Sequence, residues 1–164
     1  MRAVLGFIPR IGVGQDAHGF SNEGSLVIGG LTLCEFPKLR ANSDGDIILH
    51  ALFNAISSAI GNGSLGQTAD KMCMDGIFDS KKYLNVTLDG MRKSGYSIGN
   101  VSISLVCEKP KIDPIVKDLK KSLSKILDVS AANIGITATT EEGFLANSNA
   151  SCGGVACTCN VTLV

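Results

Sequence analysis

Between Asp44 and Ile60 the apolar residues Ile48, Leu52, Ala55, Ile56 and Ala59 recur at helical spacing, straight after a polar, turn-prone run. A stripe of this kind stabilises a helix only when another element covers it. Two later stretches supply that element. Val101, Ile103, Leu105 and Cys107 alternate with Ser102 and Ser104, and Val155, Cys157, Cys159, Val161 and Leu163 fall on one face in the same way. Alternation with a period of two marks strands with one buried face. A helical stripe and strand faces that both need burial imply a sheet with helices packed on it.

The remaining segments fit that plan. Ile11–Asp16 reads as a first strand, 19–25 as a polar turn, and Leu26–Leu33 as a second strand with Gly29-Gly30 marking a bulge or close approach. Cys34–Ser43, with Pro37, Lys38 and Arg40, is a loop long enough to suggest function. Ser43 is expected to cap the first helix, with Asp46 as a capping-box acid, and Gly61-Asn62-Gly63 to end it. Ser64–Gly76 reads as irregular. A second helix runs from Ser80 to Lys93, capped by Asp79 or Ser80 and stopped at Gly95, with Leu84, Leu88 and Met91 inward. A third opens with Asp113 as N-cap and Pro114 behind it, burying Val116, Leu119, Leu123 and Ile126. Ile134–Thr139 is a strand and Thr140–Gly153 a polar loop. The order β-β-α-α-β-α-β-β predicts one α+β domain over residues 1–164. It is an α/β sandwich: a mixed or antiparallel four-stranded sheet plus a hairpin, with helices on one face.

Charge narrows the function. Lys and Arg total 15 against 15 Asp and Glu, so the net charge is zero. The basic residues are dispersed, which argues against nucleic acid and against an anionic membrane surface. The apolar run Ala3–Ile8 is too short for a signal segment, so a cytoplasmic location is expected. The six cysteines then read as reduced thiols, mostly packed as small hydrophobes. The spacing of Cys152, Cys157 and Cys159 fits no standard zinc motif.

The chain has two histidines, His18 and His50. Asp16 and His18, two apart at a strand end, point the same way, and His50 projects from the first turns of a helix. Two histidines and a carboxylate suit Zn²⁺ with an open fourth position. The blander alternative is one surface and one core histidine with no metal. Asp46, one turn before His50, either caps the helix or orients His50. Further on, Lys109 and Lys111 flank Pro110, and Thr139-Thr140-Glu141-Glu142 offers hydroxyls and carboxylates for a hard cation.

Taken together, the motifs Gly14–His18, Ile28-Gly29-Gly30, Ser43–Leu52, Gly95–Val101, Pro110-Lys111, Ala138–Thr140 and Gly154–Cys157 resemble the 2-C-methyl-D-erythritol 2,4-cyclodiphosphate synthase family. That resemblance implies a homotrimer with active sites between subunits, acting as a metal-dependent phosphorus–oxygen lyase of the non-mevalonate isoprenoid pathway. It implies Zn²⁺ on Asp16, His18 and His50, and a substrate that is a cytidine diphosphate derivative of methylerythritol 2-phosphate. Asn42 and Ser43 belong to the loop over the diphosphate, and Asn42 stands where the family commonly has histidine. Ser64, Leu65 and Gly66 replace the family segment that meets the methylerythritol part, and Asn54 replaces an aspartate. Cys107, Lys109, Pro110 and Lys111 match the cytidine segment, with Thr139 in the same pocket and Thr140 facing the reacting phosphoryl group. A second cation, Mg²⁺ or Mn²⁺, falls to Glu142 with Glu141 as rival, and Phe144 lies beside the substrate. The resemblance leaves two functions open: the cyclising synthase, or a metal-bearing trimer that binds a nucleotide or isoprenoid phosphate with weakened turnover.

Overall fold

A computed structural model describes residues 8–140 and 153–164. The elements are β1 (Arg10–Gly19), β2 (Leu26–Ile28), β3 (Leu31–Leu33), α1 (Ile47–Ala59), α2 (Leu65–Met74), α3 (Ser80–Lys93), β4 (Ile98–Cys107), α4 (Val116–Leu127), β5 (Ile134–Thr139) and β6 (Gly154–Leu163). Four strands form one sheet in the order β1-β6-β4-β5. β6 runs antiparallel to both β1 and β4, while β4 and β5 are parallel, so the sheet is mixed. The alternating residues Val101, Ile103, Leu105 and Cys107 of β4 and Val155, Cys157, Cys159, Val161 and Leu163 of β6 are all buried, as their period requires.

Helix α1 lies across β1 and β6 and is itself flanked by α3. Its fit is unusually close because β1 carries glycine on its inward face. A Cβ added at Gly14 would sit 2.1 Å from the Ala51 carbonyl oxygen, and one at Gly12 would sit 1.9 Å from that of Ala55. Backbone thus packs on backbone, and almost every residue of α1 is buried. On the sheet's other face Ile11 and Val13 of β1 are exposed.

The structure departs from four local expectations. Leu26–Leu33 is a hairpin, β2 against β3, rather than one strand. Gly29 (φ 57°) and Gly30 (φ 78°) both adopt left-handed backbone, which a tight two-residue hairpin turn requires. Asp46, not Ser43, caps α1: its side chain accepts the Leu49 N–H at 3.1 Å, while the Ser43 hydroxyl takes the Gly45 N–H. The same Asp46 carboxylate accepts the N–H groups of Gly29 (2.8 Å) and Gly30 (2.6 Å), tying the hairpin turn to the helix. Its competing role as an orienter of His50 is thereby corrected. Ser64–Gly76 is not irregular: α2 forms there, with Leu65 buried and Ala69, Met72 and Cys73 packed inward behind it. Asp113 does not cap α4; a 3₁₀ turn over Asp113–Ile115 intervenes, and the α-helix begins at Val116. Among the cysteines, Cys107, Cys157 and Cys159 are buried, but Cys34 is exposed and Cys73 half-buried.

Candidate active site

The end of β1 and the first turn of α1 meet where the glycines bring them together. There Asp16, His18 and His50 converge. The Asp16 Oδ2 lies 3.0 Å from His18 Nε2 and 2.8 Å from His50 Nδ1. One donor atom from each of the three residues falls within 4.8 Å of the others. Zinc bonds of about 2.0–2.1 Å in a tetrahedron space their ligand atoms about 3.3 Å apart. The two contacts to Asp16 therefore need to open by only a few tenths of an ångström to admit such an ion. The two imidazole rings meet edge to face, 75° apart, with centroids 5.9 Å from each other.

Electrostatics agree with the geometry. Burial raises the Asp16 carboxyl, but hydrogen bonds and charges from His18 and His50 outweigh it and hold the group well below the usual carboxylate range. The hydrogen bond to Asp16 raises His18 against its own burial, and a further bond to the Arg40 backbone acts in the same direction. The contacts that join Asp16 to the two rings occupy the place a cation would take. The second ring nitrogen of His50, Nε2, lies 2.8 Å from Ser80 Oγ and 3.2 Å from Ser43 Oγ.

The cluster opens into a cavity of about 430 Å³. Asn42, Ser43, Ser64, Leu65 and Gly66 all line it with Asp16, His18 and His50, so these expected residues share one site. Arg40, Asp70 and Cys73 line it as well, without having been assigned there from sequence. Arg40 was visible as a basic residue in the long loop. Asp70 and Cys73 carry no such signal in a stretch whose sequence reads as irregular. Asn54 donates to the Gln15 carbonyl at 3.2 Å and accepts the Leu65 N–H at 2.9 Å, so it fastens β1 to the start of α2.

The nucleotide-side residues sit elsewhere. Cys107, Pro110, Lys111, Thr139 and Thr140 line a separate cavity of about 230 Å³ at the ends of β4 and β5. Lys109 is exposed and does not line it; it precedes Pro110 through a cis peptide bond. β1 is one edge of the sheet, and β4 and β5, which carry the second cavity, lie two and three strand spacings away, roughly 10–14 Å. Glu141, Glu142 and Phe144 lie outside the described residues.

An α+β fold with a carboxylate and two imidazoles converging beside a polar cavity defines a protein equipped to hold a cation next to a small polar ligand. The chain matches the YgbB family model over residues 9–164. It is 37% identical over 163 residues to a 2-C-methyl-D-erythritol 2,4-cyclodiphosphate synthase of Chlamydia abortus, covering 96% of this chain and 90% of that protein. The synthase of Clostridium acetobutylicum is 36% identical over 136 residues, covering 82% and 88%. Among solved structures, IspF of Plasmodium falciparum in complex with CDP superposes with a TM-score of 0.80 at 28% identity, over 95% of this chain and 96% of that one. A CDP-bound form of 2C-methyl-D-erythritol-2,4-cyclodiphosphate synthase gives 0.82 at 28% identity, over 94% and 100%. The chain belongs to the YgbB family, that of the 2-C-methyl-D-erythritol 2,4-cyclodiphosphate synthases.

Proposed function

We propose that the chain converts 4-diphosphocytidyl-2-C-methyl-D-erythritol 2-phosphate to 2-C-methyl-D-erythritol 2,4-cyclodiphosphate and CMP. The observation that carries this reading is the Asp16–His18–His50 cluster opening onto the cavity of Asn42, Ser43, Ser64, Leu65 and Gly66, in a chain of this family. An oxygen of the 2-phosphate attacks the β-phosphorus, the bond from that phosphorus to the α–β bridging oxygen breaks, and CMP leaves with the electron pair. The nucleophile is already an anion, so no strong base is needed. The demand is to bring two repelling phosphates into line and to neutralise their charge.

Asp16, His18 and His50 would hold one Zn²⁺ per subunit, and such an ion would supply Lewis-acid polarisation of the diphosphate. The Ser43 hydroxyl and the Asn42 amide face the diphosphate, with Asn42 as a neutral hydrogen-bond donor in place of histidine. Ser64, Leu65 and Gly66 receive the methylerythritol part. Backbone groups between Cys107 and Ile112, with Thr139, receive the cytosine, and Thr140 faces the reacting phosphoryl group. Lys109 and Lys111 border that nucleotide segment. Glu142, or Glu141 as its rival, would hold Mg²⁺ or Mn²⁺, which would help neutralise the diphosphate charge, and Phe144 would contact the same substrate. The protein acts in the cytoplasm.

The assembly is a homotrimer in which the metal-side cavity of one subunit faces the nucleotide-side cavity of the next. The exposed Ile11 and Val13 on the uncovered sheet face support this. So does the separation of the two cavities within one chain. Incubation with the cytidine diphosphate substrate and Mg²⁺ tests the function. CMP with cyclic product supports it, whereas binding without CMP, or linear diphosphate products, overturns it. Zinc retained in full by His50→Ala overturns the metal assignment, and a monomer in sedimentation overturns the assembly.

A further inference from the structure

His50 presents Nδ1 to Asp16 and turns its other nitrogen inward. That nitrogen, Nε2, meets Ser80 Oγ at 2.8 Å in a setting closed to water, with Ser80 only 1% exposed and His50 5%. Ser80 Oγ in turn donates to Asp44 Oδ1 in a short hydrogen bond. Asp44 is fixed from three further directions. Its Oδ2 accepts the Ser80 N–H at 3.1 Å, its Oδ1 accepts the Asp46 N–H at 3.1 Å, and its own N–H donates to the Phe78 carbonyl at 2.9 Å. Helix α3 does not need the Ser80 hydroxyl, because Asp79 caps it by accepting the Lys81 N–H at 2.9 Å.

The direction of these bonds fixes the imidazole. An ionised carboxylate only accepts hydrogen bonds, so the single hydroxyl hydrogen of Ser80 goes to Asp44. Ser80 Oγ must then accept from His50, which places a proton on Nε2. Nδ1 lies 2.8 Å from Asp16 Oδ2. A cation bound between them would replace the hydrogen that links them, and the proton on Nε2 would then keep the ligand imidazole neutral with its Nδ1 lone pair on the metal side. Outer partners of this kind set the tautomer and the angle of a ligand imidazole. Ser43 Oγ, at 3.2 Å, is the longer contact to the same nitrogen and leaves this order unchanged.

We propose that Ser80, held by Asp44, is a positioning residue that locks His50 in the Nε2-protonated form and aims Nδ1 at the cation. The inference rests on the reading that Asp16, His18 and His50 bind a metal. It assigns to the start of α3 a part in metal binding that neither the cavity lining nor the ligand set includes.

The test uses full-length protein and Zn²⁺ alone, with affinity measured by competition against a chromophoric chelator. The visible spectrum of the Co²⁺-loaded protein reports ligand geometry. Ser80→Ala keeps the backbone N–H that Asp44 accepts, so α3 retains that bond. The expected result is a 10- to 100-fold weaker Zn²⁺ site with a changed Co²⁺ spectrum, and recovery to within a few-fold in Ser80→Thr. Asp44→Asn, which can donate as well as accept, is expected to weaken Zn²⁺ binding too, and serves if Ser80→Ala does not fold. Unchanged Zn²⁺ affinity and Co²⁺ spectrum in Ser80→Ala overturn the proposal, as does equal loss in Ser80→Ala and Ser80→Thr. A parent protein that binds no Zn²⁺ or Co²⁺ refutes the metal reading itself, which distinguishes the two failures.

Discussion

Gly14→Ala places one methyl group where β1 meets α1. The new Cβ would lie 2.1 Å from the Ala51 carbonyl oxygen and 2.3 Å from the Ala55 nitrogen. Both are backbone atoms of a buried helix, so no side chain can swing away. Ordinary contact begins at 3.4 Å, so strand and helix must part by about 1.3 Å locally. Overpacking of a tight interface costs about 1–3 kcal/mol, which lowers Tm by roughly 3–10 °C for a chain of this size. The functional consequence is larger. Asp16 and His18 follow Gly14 on the strand, whereas His50 rides on the helix, so the displacement pulls the ligands apart. Metal sites tolerate about 0.2 Å in ligand distance, and affinity is expected to fall on the order of tenfold or more. Chelator competition with Zn²⁺ and a thermal melt of the metal-free protein measure the two effects. Gly63→Ala is the control, because no atom lies within 4 Å of its added Cβ and its φ is not left-handed. If Gly14→Ala binds Zn²⁺ as tightly as the parent, backbone contact between β1 and α1 does not set the cluster's geometry.

Three further outcomes are expected. Asp46→Ala strands the N–H groups of Gly29 and Leu49, which are buried, and of half-buried Gly30; denaturant unfolding should show a loss of about 3 kcal/mol or more, and a loss under 1 kcal/mol refutes its role as the clasp between hairpin and helix. In the metal-free protein, the lowered Asp16 contributes stability above its ordinary value of 3.8 that is lost on acidification, and the raised His18 contributes stability below 6.5 that is lost as pH rises through its elevated value. Both contributions are present between those limits, so melting temperature against pH should show an excess there that Asp16→Asn removes. Ser64 makes no capping hydrogen bond with its side chain, so Ser64→Ala should leave Tm within about 2 °C while raising KM for the diphosphate substrate. An unchanged KM refutes contact between that hydroxyl and the ligand.

The strands β4 and β6 and the helix α1 were legible because burial imposes a period on the sequence. Val101–Cys107 alternates because one face is covered, and Ile48 to Ala59 recur because one side is. The inward residues of α2, Leu65, Ala69, Met72 and Cys73, do recur at helical spacing. The signal is weak because the stripe spans only ten residues, includes a small alanine, and sits among Gly63, Gly66 and Gly76, which read as loop. The β2–β3 turn was misread for a related reason. A glycine pair marks a bulge or a hairpin equally well until the turn's φ values are known. The metal cluster stood out by scarcity, as the chain's two histidines both belong to it. Ser80 did not, because its importance lies in a hydrogen bond across thirty residues to His50, and no spacing rule encodes that.

The polar run before α1 shows how one short segment serves several levels at once. Asp44 anchors the start of α3, and Asp46 clasps the hairpin and caps α1. Ser43 touches the back of His50, and Asn42 reaches the cavity wall. Gly45, with φ of 75°, lets the chain reverse between the two aspartates so that each faces a different helix. The segment's polarity is therefore not that of a solvated loop. Its carboxylates are consumed by backbone and hydroxyl donors inside the fold, so neither competes with Asp16, which lies against both histidines. A charge swap in this run, such as Asp44→Lys, would damage α3 and the His50 anchor together. Asn42→Ala touches neither and is the substitution that isolates the loop's contact with substrate.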